Sequence, residues 1–181
     1  MIRSMATLAL CATWAAAQTF PTLNLQDDSG KPAAVATAGK ITAVIFTSTQ
    51  CPVSNDYNER MSSLYRDYAS KGVQFVFVNS NQNESGADVA KHTKDVSFPF
   101  AVYKDAGNKL ADQLKAEVTP HVFLLGKDSG VIYRGAIDDS RNASRVAKKP
   151  LRDALDAALA GKPAPAAETK AFGCSIKRVQ T

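Results

Sequence analysis

The chain has 181 residues, 45% hydrophobic and 22% charged, near globular averages, which excludes wholesale disorder and collagen-like repetition. Lys and Arg number 22 against 17 Asp and Glu, a formal charge of +5, and there are three cysteines. Three are too few for a disulfide-built scaffold, and an odd number cannot pair off completely within one chain.

The first segment reads as an export signal. Met1-Ile2-Arg3 supplies a positive charge, Met5 to Ala17 is apolar or small, and Ala15-Ala16-Ala17 precedes Gln18. A basic start, a short apolar run and a small-residue cleavage site describe a secretory signal peptide. The run is well short of the roughly 20 residues needed to span a bilayer. Cys11 lies within it, but Leu10 is bulky where a lipoprotein site needs a small residue. Trp14 lies there too and has no role in the mature protein. Export places the mature chain, from about Gln18, in an oxidising compartment where disulfides persist. Losing Cys11 and Arg3 leaves Cys51 and Cys174, an even pair, and a charge of +4.

The hairpin signal around Asn24-Leu25 and Asp28-Ser29-Gly30 comes next, then Ile41 to Phe46, a β-branched run expected to form a strand buried on both faces. Tyr57, Met61, Leu64, Tyr65 and Tyr68 mark one face of a helix over 56–70, ended by Gly72. Val73 to Asn79 is a second buried strand, followed by a polar loop through Gly86. A short helix over 87–94, a strand over 98–102 and a helix over 108–117 follow. Pro120 to Leu125 and Val131 to Gly135 form a hairpin, and Leu151 to Leu159 closes with an amphipathic helix. This order implies an α/β domain with a mixed sheet. Residues 161–172, rich in Pro and Ala, read as an extended linker arm outside the core.

Charge is uneven along the chain. Residues 18–147 hold 14 basic and 14 acidic side chains, whereas 148–181 hold seven and three. A neutral body with a basic tail is not a nucleic-acid-binding surface, which carries its basic face on the folded core. No glycine-rich phosphate loop appears, so no nucleotide cofactor is expected.

Two constellations carry chemistry. Thr47 to Ser54 places Cys51 between a buried strand and a helix start, with Pro52 suited to the first turn. Unpaired N–H groups and the helix dipole there favour a thiolate, the nucleophile of disulfide exchange and of peroxide reduction. The second is Val118-Thr119-Pro120-His121, where a proline opens a strand or sits in a cis turn.

With these residues the chain resembles the thioredoxin superfamily, in particular secreted redoxin-domain proteins of the alkyl hydroperoxide reductase and thiol-specific antioxidant group. Ala43 to Phe46 leading to Cys51-Pro52, Val73 to Asn81, Phe98-Pro99 and Asp105 to Gly107 carry the likeness. Val118 to Phe123, Gly130 to Asp139 and Gly173 to Arg178 extend it over roughly residues 19–178. The resemblance implies a thioredoxin-like fold, a central mixed sheet flanked by helices, over 18–160 after the signal at 1–17. A C-terminal arm over 161–181 then carries Cys174. It further implies that Cys51 attacks and that Thr119-Pro120 is a cis turn holding an incoming disulfide or peptide backbone.

The chain departs from that pattern in two ways. Ser54 stands where such proteins carry a second cysteine, so a mixed disulfide at Cys51 must be resolved by another thiol. Cys174 is the other cysteine of the mature chain, and ten extended residues reach about 33 Å, so a Cys51–Cys174 bond is the leading expectation. A bond to another chain and a free thiol remain the alternatives. Ser48 suits a peroxidase, but Val44 replaces the family's proline and Thr119-Pro120 the peroxide-polarising arginine. The expected activity is therefore thiol–disulfide exchange with protein or small-molecule thiols and disulfides. Peroxide reduction and copper binding by Cys51, His121 and Cys174 are the alternatives. No resident metal and no membrane contact after signal cleavage are expected. His92 is expected on a solvated helix face, and Asp138-Asp139 in a capping turn.

Overall fold

The computed structural model describes residues 18–179, so the expected signal over 1–17, with Cys11 and Trp14, lies outside the described residues. The sheet is built around β3 (Ile41–Thr47), where every residue is buried. Its β-branched and aromatic side chains alternate between two cores, as period-two geometry requires. Ile41, Ala43 and Ile45 face one; Val44 and Phe46 face the other. Each fully buried side chain of this size is worth about 1.5–3 kcal/mol.

The other strands are β1 (Thr22–Gln26), β2 (Pro32–Ala36), β4 (Val73–Asn79), β5 (Val102–Lys104), β7 (His121–Leu125) and β8 (Val131–Gly135). With β3 they form a seven-stranded sheet in the order β2-β1-β5-β4-β3-β7-β8. β3 pairs parallel with β4 and antiparallel with β7, so the sheet is mixed. Helices α1 (Pro52–Asn55), α2 (Asn58–Tyr68), α3 (Gly86–Asp95), α4 (Lys109–Leu114) and α5 (Pro150–Leu159) cover it. Met61 and Leu64 of α2, Val89 of α3 and Leu151 of α5 share the Ile45 core; Leu110 and Leu114 of α4 share the Phe46 core.

Four elements differ from the sequence reading. The helix expected over 56–70 is shorter, running from Asn58 to Tyr68 as α2 with a 3-10 turn over Ala69–Lys71 before Gly72, and the separate short α1 precedes it; between the two, Tyr57 donates its hydroxyl to Asp138 (2.9 Å). The expected strand over 98–102 begins only at Val102. Ser97 takes φ 53°, and Phe98 and Phe100 stack on each other, with Phe100 also on Phe77, instead of extending along β4. The helix expected to start at Asn108 and run to Glu117 is shorter. Asp105 accepts from the N–H groups of Leu110 and Ala111 at 2.9 Å, and Lys115 at φ 57° stops it.

The fourth difference is the arm. Residues 161–172 are not a free linker but lie along β8. Arg134 N–H donates to the Ala167 carbonyl at 2.9 Å and Thr169 N–H to the Arg134 carbonyl at 3.0 Å. Tyr133 and Thr169 join hydroxyls at 2.7 Å, and Phe172 packs edge-on against Tyr57. At Gly135 the Thr169 carbonyl carbon would lie 2.9 Å from any Cβ, so only glycine admits this strap. The Pro-Ala composition correctly signals extension, yet an extended segment can be packed as well as free.

Candidate functional site

The register Phe46↔His121 between β3 and β7 sets the end of one strand beside the start of the other. The loop after β3 therefore meets the turn before β7. That turn contains a cis Thr119–Pro120 peptide, and the Thr119 carbonyl oxygen lies 3.3 Å from Cys51 Sγ. Cys51 is buried, caps α1, and accepts the Ser54 N–H on its sulfur at 3.3 Å. Pro52 stands at the first helical position, where its missing N–H costs nothing. Because α1 has only four residues, the charge-stabilising donor at the sulfur is this one N–H, not the dipole of a long helix.

Cys174 is joined to Cys51 in a disulfide, with the Cα atoms 5.8 Å apart. It belongs to β9 (Cys174–Ser175), which pairs antiparallel with β6 (Val118–Thr119) in the register Thr119↔Cys174. The structure thus brings together all four residues singled out from sequence: Cys51, Cys174, Thr119 and Pro120. Ser54 is fully buried and shares a 3.0 Å hydrogen bond with the Thr47 hydroxyl, beside the sulfur but chemically inert toward it.

A buried carboxylate beneath the cysteine loop went unnoticed in the sequence. Glu84, 2% exposed, accepts from Ser48 Oγ (2.5 Å), Thr49 N–H (2.7 Å), Thr49 Oγ1 (2.8 Å), Asn79 Nδ2 (2.5 Å) and Asn81 Nδ2 (2.9 Å). Ser48 Oγ in turn accepts the Cys51 N–H at 3.0 Å. Burial pushes the Glu84 carboxyl up, but the bonds from Ser48, Thr49 and Asn79 outweigh it and hold the group below its ordinary value. Lys104 Nζ ties this cluster to β5, donating to the Glu84 carbonyl at 2.7 Å and to Asn79 Oδ1 at 2.8 Å. The one sequence signal was polarity: Asn79, Ser80 and Asn81 follow an otherwise apolar strand. A cleft of about 240 Å³ opens beside the disulfide, lined among others by Gln50, Asn83, Ser175 and Lys177.

The remaining candidates are structural. Asp138 is buried, accepts the Ser140 N–H at 3.3 Å in the expected turn, and also anchors α2 by pairing with Arg60 at 2.8 Å. Asp139 accepts the Ala147 N–H at 3.0 Å. His92 is half-buried, bonded to Asn55 Oδ1 at 3.0 Å and set against Phe98, not on a solvated face. Among the described residues no group of three metal-ligating side chains occurs.

His121 accepts the Glu117 N–H on Nδ1 at 3.3 Å and lies over Phe123. Burial, with Arg134 nearby, pushes its imidazole down to about 4. The unfolded chain binds that proton near pH 6.5 and the folded chain does not until about pH 4. Stability is therefore lost as pH falls between those values. The expected loss from this group is about 2 kcal/mol, allowing for screening of a half-buried ring. His121→Gln should flatten urea-unfolding stability between pH 6.5 and 4; an unchanged slope would refute the assignment.

A family model described as Thioredoxin-like matches residues 39–131. Thiol-disulfide oxidoreductase ResA of Bacillus cereus is 27% identical over 96 residues, 53% of this chain and 54% of that protein. The chain thus spans about half the length of the curated relative it matches. The crystal structure of an uncharacterized conserved protein from Geobacillus kaustophilus superposes with a TM-score of 0.82 at 28% identity, covering 91% of this chain and 93% of that one. A hypothetical protein from Sinorhizobium meliloti 1021 gives 0.81 at 28% identity, over 91% and 95%. With the matched span running from β3 to the start of β8, through both the cysteine loop and the cis-proline turn, the chain belongs to the thioredoxin-like family.

Proposed function

We propose that this protein is an exported thiol–disulfide oxidoreductase in which Cys51 attacks and Cys174 resolves. The observation that supports this reading most is the disulfide between them, seated against the cis peptide. In the dithiol form the Cys51 thiolate attacks one sulfur of a partner disulfide, aided by the Ser54 N–H. A Cys51–partner bond forms, and the partner's other cysteine leaves as a thiolate that takes a proton. The Cys174 thiolate then attacks the Cys51 sulfur, releasing the partner's first cysteine and restoring the Cys51–Cys174 bond. The partner gains the two electrons that the chain loses; the reverse sequence oxidises a dithiol. Export, with a cleaved segment over 1–17, fits a working disulfide.

The full-length Cys11→Ser/Cys174→Ser variant, treated with oxidised glutathione, is expected to carry one glutathione on Cys51 by mass spectrometry. The Cys11→Ser/Cys51→Ser/Cys174→Ser triple variant should carry none. Lack of an adduct on Cys51 would refute the reading. The same spectra, recorded on protein from the periplasm of a bacterial host, should show a mature chain beginning at Gln18.

A further inference from the structure

The segment from Gly173 to Val179 is held in a groove by contacts made mostly through its backbone. Beyond the pairing of Cys174 and Ser175 with β6, Ile176 N–H donates to the Glu117 carbonyl at 2.9 Å. Lys177 N–H donates to Asn81 Oδ1 at 2.7 Å, and its carbonyl accepts from the Gln82 N–H at 2.9 Å. Val179 N–H donates to Asn108 Oδ1 at 2.9 Å. Such bonds do not depend on which side chains the segment carries. They are those of an extended strand added to a waiting edge.

Arg178 adds a side-chain bond to the Ala116 carbonyl at 2.6 Å, and two positions read the segment by shape. At Gly173 any Cβ would collide with the Thr119 carbonyl, 2.7 Å from its carbon, so the residue before the docked cysteine must be glycine. Ile176 is 7% exposed and enters the core shared by Val44, Phe46, Leu110 and Phe123. The groove therefore has a fixed reading frame: glycine, cysteine, one exposed residue, then a bulky apolar side chain.

We propose that the groove beside the cis turn, where the likeness already implies that a partner backbone docks, selects cysteine-bearing partner segments by the residues that flank the cysteine. The chain's own arm occupies it as an internal copy of that substrate, and the preferred partner segment reads Gly-Cys-X-apolar. The proposal rests on Cys51 being the nucleophile. When the Cys51–Cys174 bond opens, the arm loses its covalent hold and becomes a tethered competitor. A partner segment in the same register presents its cysteine sulfur to Cys51, as the arm presents Cys174.

The test uses the full-length Cys11→Ser/Cys174→Ser variant and synthetic peptides whose cysteine is joined by a disulfide to 5-thio-2-nitrobenzoate. Cys51 thiolate attacks the peptide sulfur. The Cys51–peptide bond forms, the bond to thionitrobenzoate breaks, and thionitrobenzoate leaves with the electron pair and is read by its absorbance. Phe-Gly-Cys-Ser-Ile-Lys-Arg is compared with the same peptide carrying Ala for Gly or Ser for Ile, and with the glutathione derivative. Displacing the tethered arm costs the same for all three peptides, so their rate ratios report the groove alone. The parent peptide is expected to react at least about tenfold faster than either altered peptide, the discrimination a misfilled apolar pocket gives. It should exceed the glutathione derivative likewise. Rates within twofold of one another, with all reagents active, overturn the groove while leaving Cys51 as the nucleophile. Failure of every reagent, glutathione included, overturns both. A disulfide-linked dimer of the wild-type chain after reduction and reoxidation, with no peptide preference, overturns the proposal in favour of arm exchange between copies.

Discussion

Opening the Cys51–Cys174 disulfide is expected to lower the unfolding free energy by about 5 kcal/mol. The two cysteines are 123 residues apart, so the bond closes most of the described chain into one loop. Loop-closure entropy rises only with the logarithm of loop length, yet at this length it is near the top of the range. The arm is also held by hydrogen bonds to Asn81, Gln82 and Asn108 that do not involve the disulfide, so the loss is expected to fall mainly on the unfolded ensemble. Urea unfolding of the oxidised and reduced chains should differ in midpoint by about 2 M, with little change in the folded-state spectrum. Cys174→Ser under oxidising conditions should match the reduced wild-type chain, since Cys174 is only half-buried and leaves no core cavity. A loss below about 1 kcal/mol in both would mean the bond does not constrain the unfolded chain.

That stability cost has a functional side. In the proposed cycle the bond stays closed until a partner dithiol supplies the electrons, and reduction would release the arm's covalent hold at the proposed groove. Arm and nucleophile are also linked through hydrogen bonds: Lys177 N–H to Asn81, Asn81 to Glu84, Ser48 to Glu84, and Cys51 N–H to Ser48.

Much of this was legible in the sequence, where a short stretch fixes its own environment. Ile41 to Phe46 and Val73 to Val78 are β-branched and aromatic almost throughout, and such runs have few alternatives to a strand buried on both faces. Cys51 before Pro52, and Thr119 before Pro120, carry their local geometry in adjacent residues. What stayed hidden depends on distant partners. The burial of Tyr57 depends on Asp138, and the docking of the arm on Tyr133, Arg134 and the bare Cα of Gly135. Glu84 looked like one more charge in a polar loop. Its role appears only when folding returns that loop to the cysteine, where donors from residues 48, 49, 79 and 81 converge on it.

Glu84→Ala is accordingly expected to cost about 4 kcal/mol. The carboxylate satisfies five donors inside a site that is 2% exposed, and its removal leaves the Ser48 and Thr49 hydroxyls, the Thr49 N–H and two amides to find other partners. Unmet buried donors cost about 1–3 kcal/mol each, and water entering from the adjacent cleft recovers part of that. Glu84→Gln should fare little better, because one amide edge would present N–H groups to donors that need an acceptor. The pH dependence separates this role from simple packing. The folded carboxyl titrates below the unfolded one, so its contribution is fully present above the ordinary glutamate value of 4.5 and is lost as pH falls through the lower, folded value. The wild-type chain should therefore lose stability on acidification below that point more steeply than Glu84→Ala, whose curve lacks this proton uptake. Urea unfolding at pH 7, 5, 4 and 3 reads the difference. Curves that run parallel from pH 5 to 3 would mean that the Glu84 carboxyl titrates alike in the folded and unfolded chains, and the carboxylate would no longer explain how the loop carrying Cys51 is positioned.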